Sequence, residues 1–108
     1  MKITEEEIYD LKYTLSDLIY PRLKVFKEKF DKDESPTIPN FKNDENFNNK
    51  FSREEKLNYW KNILEEMLFP FGYYSGDIDC ENMEKDEINK KIEKGLNAFA
   101  KYFNNLWI

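Results

Sequence analysis

A helical period running through residues 4–30, carrying two residues that do not suit it, constrains this chain more than any other feature. At about 100° per residue, Ile8, Leu11, Leu15, Leu18, Ile19, Leu23, Phe26 and Phe30 fall on one side. Pro21 stands in the middle of the run, Arg22 falls inside the apolar stripe, and Tyr9, Tyr13 and Tyr20 line the opposite side. Proline removes one backbone hydrogen bond and crowds the carbonyl one turn back. The stripe stays in phase across it, from Leu18 through Leu23 to Phe26, so the pattern predicts one helix kinked at Pro21. Thr4 and Glu7 mark its start as a capping box, with Ile3 and Ile8 as a hydrophobic staple. Glu5, Glu6 and Glu7 suit the positive end of the helix dipole, which accounts for the acidic run without a metal.

The rest of the chain reads as two more helices and two connections. Residues 31–51 hold Pro36, Pro39 and five asparagines (Asn40, Asn43, Asn46, Asn48, Asn49) with no period of either kind, and predict a long loop. Phe41, Phe47 and Phe51 are its expected anchors on the body. Ser52 and Glu55 form a second capping box. Leu57, Trp60, Leu64, Met67 and Phe71, widened by Ile63 and Leu68, give the second helix its stripe. Pro70 and Gly72 are expected to end it, leaving residues 70–83 as a connection. The third helix is predicted over about residues 84–106, burying Ile88, Ile92, Leu96, Phe99, Phe103 and Leu106, with Gly95 at the stripe's edge as a place for close helix approach. Trp107 and Ile108 predict a docked terminus. The expected fold is one all-α domain over residues 1–108, made of three helices with a proline-kinked first helix and a long 31–51 loop.

Composition narrows function mainly by exclusion. With 108 residues the chain can bury a core without metal or disulfide staples. Eighteen aromatic residues (nine Phe, seven Tyr, two Trp) supply the area that its few aliphatics do not. The net charge of −5 disfavours direct contact with nucleic acid or an anionic membrane and suits a basic protein partner. No apolar run approaches a membrane span, and residues 1–7 lack the apolar segment of a signal peptide. Histidine is absent, which removes the commonest general base and metal ligand. Cys80 is alone, which fits a reducing compartment and leaves no thiolate metal cluster. Phosphate-cradling glycine motifs are missing. Asp77, Asp79 and Glu81 begin like a calcium loop, but Asn82 and Ile88 stand where that loop needs glycine and glutamate. These readings predict no catalytic residue, no metal and no cofactor.

Arg22 and the tyrosines are the candidate binding residues. A guanidinium on an apolar face must snorkel, pair, or hold a carboxylate or phosphate at the kink. Tyr9, Tyr13 and Tyr20 form either a second buried side or an exposed patch for a partner. Three sets of residues also resemble small phage- and prophage-encoded helical proteins. They are Tyr13, Thr14, Leu15, Ile19, Pro21, Arg22, Leu23 and Phe26; then Trp60, Ile63, Leu64 and Met67; then Gly95, Leu96, Phe99, Ala100, Lys101, Tyr102, Leu106 and Trp107. The resemblance covers the three helices and not the 31–51 loop. It implies a phage setting, the host cytoplasm and a host protein target, and it brings no activity with it. The expected function is a non-enzymatic counter-defence inhibitor that occupies a host protein through an acidic, tyrosine-rich helical surface. An alternative is a sponge for a small nucleotide signal, with Arg22 on a phosphate and Trp60 or a tyrosine stacked on the base in a pocket between subunits of a homo-oligomer. A second alternative is a virion or morphogenesis accessory protein.

Overall fold

A computed structural model of the chain describes residues 1–32, 38, 39, 41 and 51–107. The architecture is all-α, with no strand among the described residues. The helices are α1 (Glu5–Tyr9), α2 (Leu11–Asp31), α3 (Arg53–Ser75) and α4 (Lys85–Tyr102), closed by a 3₁₀ turn at Phe103–Asn105. Both capping boxes form. The Glu7 carboxylate accepts from the Thr4 backbone N–H at 2.6 Å, and the Glu55 carboxylate accepts from that of Ser52 at 3.2 Å. Most of the expected 31–51 loop, including Phe47, lies outside the described residues, as does Ile108.

The first predicted helix is interrupted at Asp10, while its longer part runs unbroken through Pro21, as expected. Asp10 leaves the helical region at φ −121° and ψ 63°, and its carbonyl accepts from the N–H groups of Tyr13 and Thr14 to start α2. The helix then continues through Pro21. The proline ring is exposed, and so is Asp17, whose carbonyl loses its partner to the missing N–H, so water can serve it. Packing on α3 holds the helix together where the local hydrogen bond is lost.

Pro70 and Gly72 do not end the second helix either. α3 runs on to Ser75 and stops at Gly76, whose φ of +83° lies in the left-handed region. There the Gly76 N–H donates to the Tyr73 carbonyl at 3.2 Å, and the Asp77 N–H to the Gly72 carbonyl at 2.9 Å. The connection to α4 is correspondingly shorter than expected.

α3 is the central element. It runs antiparallel to α2, as the pairs Tyr13–Tyr74, Lys27–Glu65 and Phe30–Trp60 show. It runs antiparallel to α4, with Lys94 beside Glu66 and Tyr102 beside Trp60. The backbones of α2 and α4 do not meet. The three helices therefore form a bundle centred on α3 and open between α2 and α4. Trp60, Leu64 and Met67 on α3 are wholly buried, with Phe30, Leu23, Ile63, Leu68, Phe71 and Tyr102 around them. Phe41 is buried against Tyr59, Trp60 and Tyr102, and Phe51 lies 6.4 Å from Tyr59, so these two anchors hold as expected.

α4 approaches α3 where both helices are irregular. Pro70 has no N–H to give the Glu66 carbonyl, and Gly95 faces that spot. A Cβ on Gly95 would collide with the Glu66 oxygen and with Pro70 Cδ, and would lie 2.9 Å from Pro70 Cγ. Close approach at Gly95 was legible; its central position was not. Gly95 and Tyr102 are buried, whereas Leu96 and Phe103 are 42% and 59% exposed, so the buried face of α4 is rotated from the expected stripe.

Candidate protein-docking surface

The stripe on residues 4–30 divides in two. Its C-terminal part enters the core through Ile19, Leu23, Phe26 and Phe30, joined by Ser16, whose hydroxyl donates to the Lys12 carbonyl at 2.6 Å. Ile8, Leu11, Leu15 and Leu18, expected to be buried, are exposed. α3 ends level with the first turns of α2, so α1 overhangs it. α4 packs on the other side of the core and its backbone does not approach α2, so it leaves this flank uncovered.

Arg22 is exposed, and its guanidinium folds back to donate to the Leu18 carbonyl at 2.9 Å. Among the described residues it pairs with no carboxylate. Between α2 and α3, Lys27 reaches Glu65 at 3.5 Å and Lys61 lies 3.8 Å from Asp31, which also pairs with Lys27 within α2 at 3.2 Å.

The three tyrosines part company. Tyr20 is half-buried with its ring over Gly72, where an added Cβ would sit 2.7 Å from Tyr20 Cε1. Tyr13 is 42% exposed and meets the Tyr74 ring edge-on at 5.8 Å. Tyr9 is 75% exposed, and its hydroxyl donates weakly to Glu5 at 3.4 Å. Lys12 lies 5.2 Å from the ring centroids of both Tyr13 and Tyr74, and Tyr74 continues into Tyr73 and Phe69. A helix that ends at Pro70, as the sequence suggests, puts Tyr73 and Tyr74 in a connection; the left-handed cap at Gly76 places them on α3. The result is an aromatic patch beside α1. The exposed Glu5, Glu6, Glu7 and Asp10 pair with no lysine or arginine among the described residues.

Trp60, named for stacking on a base, sits at the centre of the core with no exposed surface. Its rings contact Phe30, Phe41 and Tyr102 at centroid distances of 6.3, 6.3 and 5.5 Å. No face of the indole is open to a ligand. A cleft of about 270 Å³ between α3 and α4 is lined by Glu65, Glu66, Phe69, Ile78, Lys91 and Lys94. Lys94 is paired with Glu66 at 3.2 Å and Lys91 sits 5.4 Å over Phe69, so its charges are matched from within. Neither Arg22 nor the tyrosines of α1 and α2 line it.

Among the described residues no group of three or more His, Cys, Asp or Glu side chains is placed to hold a metal ion. No helix formed by them is long and apolar enough to cross a membrane. Comparison with protein-family models, with curated proteins and with solved structures returns no match.

Proposed function

We propose that the protein is a non-enzymatic binding module that docks on another protein through the patch formed by Tyr9, Tyr13 and Tyr74, with Glu5 and Glu6 beside it. The observation that carries this reading is the overhang of α1. It holds an exposed tyrosine, and carboxylates that no lysine or arginine among the described residues neutralises, beyond the end of α3. Tyrosine suits such a role because it brings large, stiff contact area and a polar tip. The carboxylates add attraction for a basic surface and speed encounter with it.

The motif resemblance to phage-encoded helical proteins supplies the setting. In that setting the module acts in the host cytoplasm as a counter-defence inhibitor, occupying a host protein. The test compares the tagged protein with its Tyr9→Ala/Tyr13→Ala variant on host lysate. The unmodified protein is expected to retain a specific host protein, and the variant to bind that purified protein at least about tenfold more weakly, the loss of one hot-spot side chain. Equal retention by both would place the contact elsewhere and overturn the reading.

A further inference from the structure

The exposed flank of α2 has a regular pattern that neither the core nor the tyrosine patch uses. Leu11, Leu15, Leu18, Arg22 and Val25 follow a strict four-three-four-three spacing, the a and d positions of a heptad, and Ile8 in α1 stands three residues before them. The four apolar residues are between 43% and 54% exposed. This seam is the neighbour of the one that enters the core, Ser16, Ile19, Leu23, Phe26 and Phe30, displaced from it by one residue. Tyr13 and Tyr20 lie on the far side of the helix from it.

Charge along α1 and α2 is strongly graded. Residues 1–10 carry one lysine against four carboxylates, net −3, whereas residues 22–32 carry five cations against two carboxylates; Lys27 turns to Asp31 and Glu65, and Arg22, Lys29 and Lys32 are the cations along the flank. A seam that is acidic at one end and basic at the other is complementary to itself when reversed. A notch of about 90 Å³ lined by Val25, Glu28, Lys29 and Lys32 opens at the basic end.

We propose that this flank is a homodimer interface in which α2 packs antiparallel on α2 of a second copy about a two-fold axis. In that register Leu15 meets the partner's Leu18, Arg22 meets the partner's Leu11, and Val25 with its notch receives the partner's Ile8. Each basic end then lies against an acidic end, whereas parallel pairing would set like charges side by side. Arg22 is the polar residue within the seam, the device by which helix pairs fix orientation. Leu11 to Val25 is about 21 Å of helix at a rise of about 1.5 Å per residue. So short a seam predicts a dissociation constant on the order of micromolar. The tyrosine patches face away from the axis, so a dimer presents two of them, and the proposal does not depend on what they bind.

Sedimentation velocity of the full chain over about 1 to 300 μM provides the first test. A reversible monomer–dimer equilibrium is expected, weakened at least tenfold by 1 M salt and abolished by Leu15→Glu/Leu18→Glu. That variant alters only exposed positions, so its helical circular dichroism should match the parent's. Orientation is read by oxidising a mixture of Leu11→Cys and Arg22→Cys chains in a Cys80→Ser background. The mixture should give a disulfide dimer that neither variant gives alone. A monomer at every concentration, a dimer unmoved by Leu15→Glu/Leu18→Glu, or self-crosslinking of Leu11→Cys alone would each overturn the proposal.

Discussion

Neither Arg22 nor Trp60 is placed for the ligand-binding role considered for it: one lies outside the core and the other at its centre. Arg22 sits in an apolar stripe, yet that stripe faces outward, so its guanidinium rests on the Leu18 carbonyl in solvent and needs no carboxylate. Arg22→Gln is expected to shift folding stability by less than about 0.5 kcal/mol in urea titration, as for an exposed substitution. Trp60 is the opposite case. It is wholly buried, and its indole N–H finds no acceptor among the described residues. An unmade buried hydrogen bond costs about 1–3 kcal/mol. Trp60→Phe removes that donor along with part of the ring, so the two effects oppose. Its loss of stability should stay below about 1.5 kcal/mol, against the 3–5 kcal/mol usual for truncating a buried aromatic to alanine. Burial was legible on α3, whose predicted stripe from Trp60 to Phe71 is buried, and not on α2, because period assigns a residue to a face and only the neighbouring helices decide which face is covered.

Helix starts were legible to the residue, and so was the end of α2 at Asp31, whereas the end of α3 was not. Thr4 with Glu7, and Ser52 with Glu55, announce their caps through local chemistry that no tertiary contact has to confirm. Pro21 and Pro70 are locally disruptive, but each sits in a helix held from the side by packing, and each is tolerated. The break falls instead at Asp10, where α3 no longer lies alongside. Gly95 and Pro70 form one joint: the missing N–H leaves the Glu66 carbonyl bare, and the missing Cβ lets α4 settle against it. Gly95→Ala gains up to about 1 kcal/mol of helix propensity but forces a methyl into backbone, so a net loss of about 2 kcal/mol or more is expected from thermal unfolding. Gly76→Ala should cost about 1 kcal/mol for a different reason, the strain of placing a side chain at φ +83°.

At the scale of the molecule, the all-α class and the stripe of α3 followed from period alone, while the divided stripe of α2, the rotated face of α4 and the open side of the bundle did not. Nothing in the sequence distinguishes a third helix that closes a bundle from one that leaves it open. That choice separates Leu15 and Leu18, exposed, from Leu23 and Phe30, buried, although all four share one periodic run. The tyrosine patch was half legible, since Tyr9 and Tyr13 were identified and Tyr73 and Tyr74 were hidden behind the wrong helix end. The open bundle also ranks the parts of the molecule by how easily each comes undone. Opening α4 forfeits its seam on α3 and the Tyr102 contacts but leaves the whole α2–α3 interface in place. Opening α3 forfeits everything. Native-state hydrogen exchange should therefore show α4 amides exchanging as a group through a partial opening. The amides of α3 around Trp60 to Met67 should be released only by global unfolding, leaving an α2–α3 hairpin as the last structure to persist under denaturant.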